Sequence, residues 1–569
     1  MAVPEQQSPQ RSTEFERDIL GRLTRTVARD RHGREQERVY HYDGNGNLIR
    51  AAAEGHVSAF DYNPSGELIA QHSWTVPDPE QSAAAGLPGS DWREPQHDML
   101  YLPQTQSIRY HYDRNGNRSS TELPDGRRLN YLYYGSGHLH HINLEGETVS
   151  DLERDGLHRE IGRSQGALSS RYELDPSGRL KSQLAVEERG KGSAGAGFTA
   201  VKRRYHYDRN GNLTASSDQR SGTTPFEYDP LGRITRAGAQ TFAFDPAHNL
   251  LDPTAQQPVS GNRLQRYNGH SYYYDDYGNT VQHESADGSQ HNLYYDLYDR
   301  LEKAEVFRRN ESGGWDKQTW VYQYDALDRR IRKGRLKEDG GLEDETRFVW
   351  DGSRLLQEVY ARGRYTYVYA DQDSYEPLAQ IHNYTNAGFE TYQEINYFHC
   401  DQIGIPREMT DRDGRLLWFG DYDGWGRLDS ETNITGAHQP FRLQNQYCDE
   451  ETGLHYNFYR YYEPNSGRFI NQDPIGLWGG ENLYAFAPNA QGWIDPLGLA
   501  LSHVTFPSSQ VIKEVTIYMQ GSRGADFKAA NAEAGIHGAR GTATQGAHRA
   551  KYGDVTWHHV DYDSQSNRA

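Results

Sequence analysis

The stretch that decides the fold reads Tyr-His-Tyr-Asp-Gly-Asn-Gly-Asn-Leu over residues 40–48, and it recurs with few changes at 110–117 and 205–213. Aromatic residues two positions apart share one face of a β-strand. The Asp, Asn and Gly residues that follow favour a tight turn, because they tolerate the left-handed backbone conformation. Each copy therefore predicts a strand, a turn and the start of a return strand.

Looser copies keep the same register from about residue 14 to about residue 430. Because one hairpin cannot bury its own aromatic rows, repeated hairpins are expected to stack side by side. Histidines inside the units, such as His111, are expected to fill strand positions and not to bind metal. We therefore predict an all-β fold, a spiralling antiparallel β-hairpin shell. The looser copies include Phe60-Asp61-Tyr62-Asn63, Tyr172-Glu173-Leu174-Asp175, Phe226-Glu227-Tyr228-Asp229, Tyr272-Tyr273-Tyr274-Asp275, Tyr322-Gln323-Tyr324-Asp325 and Asp421-Tyr422-Asp423-Gly424.

The composition supports an extended β architecture. The 569 residues include 41 Tyr and 57 Gly, the mean hydropathy is -0.95, and tyrosine suits half-exposed strand surfaces. A formal net charge of -19 argues against a chain that coats nucleic acid along its whole length. Residues 500–569 hold seven basic and six acidic residues, so a near-neutral tail follows an acidic body. We predict no signal peptide and no transmembrane segment, since no stretch is apolar enough.

Two cysteines, Cys400 and Cys448, are the only ones in the chain. They are too few for a disulfide framework or a thiolate zinc site. Free, structural thiols are predicted, and a single bridge between the two stays open as the alternative.

Past residue 430 the rhythm changes, and two Asp-Pro-x-Gly-Leu motifs begin at Asp473 and Asp495. One such motif alone predicts only a turn. A pair of carboxylates can do more, because two held close together cannot both ionise. One then keeps a proton and can act as an acid, while the other can activate water as a base.

The repeat, Tyr-x-Tyr-Asp-x-x-Gly-Asn/Arg-Leu, resembles the YD repeats of the Rhs, Tc-toxin C-component and teneurin families. Residues 431–499 resemble the Rhs-associated core domain, with departures at Asn445, where that family usually has Gly, and at Cys448, where it usually has an aromatic residue. The resemblance implies a hollow shell that is closed by the core domain and encloses a polypeptide cargo.

The same resemblance implies an aspartyl autoprotease that cuts the Leu499–Ala500 bond once. Asp473 and Asp495 match its acid/base pair, and Arg460 matches an arginine that cleavage needs. Its guanidinium could hold one carboxylate ionised or stabilise the developing oxyanion, and both roles stay open.

A second arginine, Arg468, is a weaker catalytic candidate and is expected to be structural. No cofactor is implied for the self-cleavage.

The tail over 500–569 shares nothing with the repeat and predicts a small α+β unit, with a short helix over 522–535. That helix and the Thr-Trp-His-His run at 556–559 resemble the WHH group of the HNH/endonuclease VII nucleases. The resemblance implies a divalent metal, with His558 as a ligand and His559 as the base, or the reverse. Neighbours on a regular strand point to opposite faces, so both can serve one site only at a strand end or bulge.

Further metal ligands are needed for a complete nuclease, and the visible candidates are Asp561, His537 and His548. The family continues into a helix with more His ligands, whereas this sequence stops ten residues after His559. A truncated, inactive tail is therefore the alternative expectation.

The sequence predicts four segments: a flexible start (1–13), the YD-repeat shell (14–430), the core and autoprotease segment (431–499) and the C-terminal toxin segment (500–569). The favoured hypothesis is a polymorphic toxin for competition between bacteria, secreted from the cytoplasm into target cells. Its expected partners are an immunity protein, a chaperone, a secretion apparatus such as a type VI spike (VgrG/PAAR), and nucleic acid as the tail's substrate. Two alternatives stay open: an adhesive shell that binds glycans or cell surfaces, and a Tc-toxin C-type shell with an ADP-ribosyltransferase cargo.

Overall fold

A computed structural model describes residues 11–76, 92–93, 105–135, 137–187, 198–254 and 259–499, and the backbone of 502–503. This part of the chain holds antiparallel strands, two 3-10 turns and no α-helix, so the predicted all-β fold is confirmed. Each strand of the first sheet pairs with the next along the chain. The strands are β1 (Arg11–Arg17), β2 (Leu23–Asp30), β3 (Glu35–Tyr42), β4 (Leu48–Ala53), β5 (His56–Tyr62), β6 (Leu68–Thr75), β7 (Gln106–Tyr112), β8 (Arg118–Glu122), β9 (Arg128–Tyr134), β10 (His138–Leu144), β11 (Glu147–Arg154), β12 (Glu160–Gln165), β13 (Leu168–Leu174), β14 (Leu180–Glu187), β15 (Thr199–Tyr207), β16 (Leu213–Asp218), β17 (Gly222–Tyr228), β18 (Ile234–Ala237) and β19 (Gln240–Thr241).

The second sheet follows the same rule and is succeeded by two small sheets. Its strands are β20 (Arg266–Tyr267), β21 (His270–Tyr274), β22 (Thr280–Glu284), β23 (Gln290–Tyr295), β24 (Leu301–Arg309), β25 (Trp315–Tyr324), β26 (Arg330–Leu336), β27 (Leu342–Asp351), β28 (Arg354–Tyr360), β29 (Gly363–Tyr369), β30 (Pro377–Thr385), β31 (Thr391–Cys400), β32 (Pro406–Thr410), β33 (Leu416–Tyr422) and β34 (Leu428–Asn433). The small sheets are β35 (Tyr447–Cys448), β36 (His455–Asn457), β37 (Arg460–Glu463) and β38 (Arg468–Phe469), then β39 (Trp493–Ile494) and β40 (Ser502–His503). The 3-10 turns are Ser260–Asn262 and Gly476–Gly479.

The aspartate of each unit builds the turn that follows it. In the first full copy, the Asp43 carboxylate accepts the backbone N–H groups of Asn45 and Asn47 at 2.9 and 2.8 Å, and the Asn47 amide at 2.8 Å. Gly46 takes a φ of 93°, which a residue with a side chain rarely adopts. The Asp-x-x-Gly spacing is thus a requirement of the backbone.

The second tyrosine of a unit ties each hairpin to the one before it. Tyr62 donates its hydroxyl to the carbonyl of Leu48 at 3.0 Å, and Tyr112 donates to Leu68 at 2.7 Å. Each bond contributes about 1 kcal/mol net, and repetition along the sheet fixes the stacking of the hairpins. The same contact joins Tyr207 to Leu180, Tyr228 to Leu213, Tyr274 to Leu264 and Tyr324 to Leu301.

The second sheet lies between the first sheet and the segment that follows β34. Val349 faces the first sheet, where it belongs to a cluster with Ile108. Its neighbours point the other way, toward the following segment, where Phe348 packs against Tyr447 and Trp350 packs against Tyr456. The period-two pattern of the strand therefore buries both of its faces.

A buried ionic cluster anchors this segment to the second sheet. The fully buried Asp449 lies 2.5 Å from the Nη1 atom of Arg330 and 2.9 Å from the Nζ atom of Lys333. These two cations hold the pKa of Asp449 below its ordinary value, against the effect of burial.

Both thiols, Cys400 and Cys448, are free, as predicted.

The described residues contain no helix that is long and apolar enough to cross a bilayer. The expected helix over 522–535 lies outside the described residues.

Candidate active site

Three side chains that lie far apart in sequence meet at the end of the core segment. Arg460 begins β37, Asp473 follows β38, and Asp495 follows β39. The Nη2 atom of Arg460 lies 3.1 Å from the Oδ2 atom of Asp473 and 3.6 Å from the Oδ2 atom of Asp495. All three side chains are buried. The fold thus brings together the three residues that the sequence nominated for self-cleavage.

The arginine is fixed on its remaining sides. Its Nη1 atom donates to the carbonyl of Leu483 at 3.0 Å, its Nε atom donates to the carbonyl of Gly498, and its guanidinium lies 3.7 Å from the ring centre of Phe469. Burial lowers the pKa of Arg460 to about 10, and the two aspartates oppose that shift. The guanidinium therefore keeps its charge at neutral pH.

The two carboxylates differ in their proton affinity. Burial raises the pKa of Asp495 to about 6, against the Arg460 charge, and the nearby Asp473 charge adds to the rise. Burial also raises the pKa of Asp473, whose distance to Arg460 is the shorter. Asp495 is the group that holds a proton more readily near neutral pH.

Two turn aspartates of the shell, Asp43 and Asp113, show the opposite shift. The pKa of Asp43 and of Asp113 is lowered, mainly by hydrogen bonds from their own turns. Asp473 and Asp495 also accept turn N–H groups, from Ile475 at 3.0 Å and from Leu499 at 2.9 Å. Unlike Asp43 and Asp113, Asp473 and Asp495 are buried and share one arginine.

The carbonyl of Leu499 faces the Asp473 carboxylate across Gly479. A Cβ atom built on Gly479 would lie 2.1 Å from the Oδ2 atom of Asp473 and 3.0 Å from the Leu499 oxygen. Since one point is 2.1 Å from the first oxygen and 3.0 Å from the second, those oxygens are at most about 5.1 Å apart. One water molecule can bridge such a gap, since an O–H···O bond spans about 2.7 Å.

Four consecutive carbonyls of the second motif, from residues 495 to 498, accept hydrogen bonds from the core segment. The donors are the Asn457 amide to Asp495 at 2.9 Å, the Asn445 amide to Pro496 at 2.6 Å, the Tyr459 N–H to Leu497 at 3.2 Å, and Arg460 to Gly498. We call this set the carbonyl clamp. It fixes the backbone that leads to the Leu499–Ala500 bond.

Backbone pairing also continues beyond that bond. In β39 and β40, Trp493 pairs with His503 and Ile494 pairs with Ser502. The chain on both sides of the Leu499–Ala500 bond is thus attached to one short hairpin.

Arg468 has a separate environment. Its guanidinium lies 3.4 Å from the Asn249 side chain, donates to the carbonyl of Asn262, and lies over the ring of Tyr484. Its contacts with Asn249 and Asn262 tie the core segment to the connection between the first and second sheets.

The remaining sequence-predicted residues lie outside the described part of the chain. They are Ala500, His537, His548, His558, His559 and Asp561. Within the described ranges, no group of three or more His, Cys, Asp or Glu side chains could hold a metal ion.

Two family models match the chain. The model described as "RHS protein" covers residues 395–432 and the model described as "Teneurin YD-shell" covers residues 196–252. The chain belongs to the Rhs/YD-repeat family.

Curated relatives of this Rhs/YD-repeat chain include named toxins. It is 36% identical over 534 residues to double-stranded DNA deaminase toxin A of Burkholderia cenocepacia, a match covering 87% of this chain and 34% of the relative. It is 33% identical over 466 residues to the toxin protein Tse5 of Pseudomonas aeruginosa, a match covering 69% of this chain and 34% of Tse5. The probable deoxyribonuclease RhsA of Dickeya dadantii is 26% identical over 417 residues, a match covering 69% of this chain and 26% of RhsA. The chain thus spans between about a quarter and a third of the length of these relatives.

Solved structures share the fold. The crystal structure of the TcdB2–TccC3 complex superposes with a TM-score of 0.63 at 17% identity, covering 86% of this chain and 27% of the solved one. The Tc holotoxin pore of Photorhabdus luminescens gives a TM-score of 0.62 at 16% identity, covering 86% of this chain and 26% of the solved one. At these identities the likeness establishes the shell architecture alone.

Sequence reasoning missed the residues that position the site. Gly479 is one of 57 glycines, and its role follows only from the closeness of Asp473 and Leu499. Asn457 contacts Asp495 from 38 positions away. The pair Gly479–Gly480 between the two motifs was the available signal, because adjacent glycines often mark a close approach.

Proposed function

We propose that this chain is the shell and release part of a bacterial toxin, which cuts itself between Leu499 and Ala500 and frees the segment that follows. The observation that carries the proposal is the buried set of Asp473, Asp495 and Arg460 beside the Leu499 carbonyl. Relatives that are themselves named as toxins support it.

In the proposed reaction, ionised Asp473 takes a proton from a water molecule whose oxygen attacks the carbonyl carbon of Leu499. Protonated Asp495 gives its proton to the nitrogen of Ala500 as the C–N bond breaks. The products are a carboxylic acid on Leu499 and a free amine on Ala500. Arg460 keeps Asp473 ionised, and its bond to Gly498 holds the backbone that leads to the cut.

The assignment of acid and base predicts a pH profile for the cleavage rate. Asp495, with its pKa of about 6, must carry a proton, so cleavage should slow as the pH rises above about 6. Asp473 must be ionised, so the rate should also fall at low pH. Chain that is pulse-labelled in cell-free synthesis and then diluted into buffers from pH 4.5 to 8.5 gives the rates on a gel. A rate that climbs steadily from pH 6 to 8 would exclude the mechanism, because the pair must keep one proton to act.

For the released segment, we propose a metal-dependent nuclease, with His558 as a metal ligand and His559 as the base or the reverse. Two relatives named as a DNA deaminase toxin and a probable deoxyribonuclease support an activity on nucleic acid. They are also named for different activities, which supports an exchangeable cargo. The WHH resemblance at residues 556–559 favours the nuclease over the deaminase.

The nuclease proposal is tested on the full chain after self-cleavage. We expect plasmid DNA or RNA to be degraded in the presence of a divalent metal, and the activity to vanish with chelator. His558→Ala and His559→Ala should each lose it, because a metal site or its base is then incomplete. Cleavage at Leu499 should continue in both variants, which makes them controls for folding. No activity with any divalent metal would remove the nuclease proposal and leave self-cleavage standing.

The further partners follow from the toxin proposal. We propose delivery from the bacterial cytoplasm into competing cells by a secretion apparatus such as a type VI spike, with a chaperone, and neutralisation in the producer by an immunity protein. An adhesive shell would need Asp473 and Asp495 only as turns. Their burial around Arg460 favours the self-cleaving toxin instead.

A further inference from the structure

One member of the carbonyl clamp also touches the shell. The Asn445 amide donates to the carbonyl of Pro496 at 2.6 Å and to the carbonyl of Ser353 at 3.2 Å. Ser353 lies in the turn between β27 and β28 of the second sheet. The other three donors of the clamp are Asn457, Tyr459 and Arg460. Their hydrogen bonds to the motif come from within the core segment, and only the Asn445 bond continues to the shell.

The backbone at this position accepts either asparagine or glycine. Asn445 has a φ of 61°, the left-handed region that glycine and asparagine tolerate best. A glycine could adopt the same conformation, but it would have no amide to offer to Pro496 or Ser353.

We propose that Asn445 is a positioning residue for self-cleavage, which ties the second Asp-Pro-x-Gly-Leu motif to the β27–β28 hairpin of the shell. This inference rests on the proposed self-cleavage. Without the bond, the Pro496 carbonyl and the adjacent Asp495 are held by one donor fewer on the shell side. In the intact protein, the Asn445 bonds place the scissile bond correctly only after the β27–β28 hairpin has docked. Cleavage is therefore coupled to completion of the shell.

Neighbouring contacts follow the same plan. Gln444 donates to the carbonyl of Ile403 at 2.7 Å, in the turn between β31 and β32. Asn489 donates to the carbonyl of Gly232 at 2.8 Å, in the turn between β17 and β18. Side chains of the core segment therefore bond the turn carbonyls of several hairpins, and Asn445 is the one of these that also holds the cleavage motif.

The test is Asn445→Gly, which keeps the left-handed backbone and removes both bonds. We expect the first-order cleavage rate to fall about tenfold, the value of one positioned hydrogen bond, while the shell stays folded. Asn268→Gly is the matched control, because Asn268 is also left-handed, at a φ of 48°, in the turn between β20 and β21. Its cleavage rate should equal that of the wild type.

A pH profile separates positioning from general packing. The charged groups acting on Asp495 are Arg460 and Asp473, and a loosened motif exposes Asp495 to water. The alkaline limb of the profile should therefore move to lower pH in Asn445→Gly. A wild-type rate in this variant, an equal loss in Asn268→Gly, or a slower rate with an unmoved limb would each overturn the inference. If the wild-type chain itself stays intact, the proposed self-cleavage fails instead.

Discussion

Replacing Asp473 or Asp495 by asparagine is expected to stop self-cleavage while the shell stays folded. An amide keeps the shape and the turn hydrogen bonds of the carboxylate, but it can neither take a proton from water nor give one to the leaving nitrogen. Loss of a general acid or base lowers a rate by about 10²–10⁴-fold. Each variant should therefore accumulate as full-length chain, which a gel of freshly synthesised protein detects.

The matched control is Asp113→Asn, in a shell turn of the same chemistry. The Asp113 carboxylate accepts the N–H groups of Asn115 and Asn117 at 2.8 and 3.0 Å and has no contact with Arg460. This variant should be cut at the wild-type rate. Wild-type cleavage in either Asp473→Asn or Asp495→Asn would remove the proposed pair.

Adding one methyl group at Gly479 is expected to be nearly as damaging. A Cβ atom there would lie 2.1 Å from the Asp473 carboxylate and 3.0 Å from the Leu499 oxygen, so the carboxylate has to leave its present position beside Arg460. A displacement of about 1 Å costs on the order of 10²-fold in rate. The cleavage rate of Gly479→Ala, measured by pulse labelling, should fall by about that factor.

The backbone of Gly479 has no left-handed φ, so alanine is tolerated conformationally and any loss is steric. Gly156→Ala serves as the control, because a Cβ atom on Gly156 meets nothing within 4 Å and its φ is also ordinary. Gly479→Ala that is cut as fast as Gly156→Ala would show that Asp473 does not act from its position over Gly479.

The shell could be predicted from the repeat because the turn and the strand pattern of each unit are encoded by residues close together in sequence. The Asp-x-x-Gly turn and the alternation of Tyr110, buried, with His111, exposed, can be read from a few neighbouring letters. The bond from Tyr112 to Leu68 could not be read in that way, because it depends on how one hairpin stacks on the next.

The site shows the same division. Arg460, Asp473 and Asp495 were nominated by resemblance to a known core segment, and the fold brings them together. Their proton affinities depend on burial, which no local motif encodes. The roles of Gly479 and Asn445 depend on contacts with residues 6 to 92 positions away, and the adjacent glycines at 479 and 480 were the one local signal for the first of them.

The most direct test of the central claim is the intact mass of the purified full chain. Self-cleavage predicts two polypeptides, one ending at Leu499 and one beginning at Ala500, in place of the single 65.0 kDa chain. The Asp473→Asn variant, prepared in parallel, should give the single mass. A wild-type spectrum with only the uncut chain, or with fragments that meet at another bond, would contradict the account.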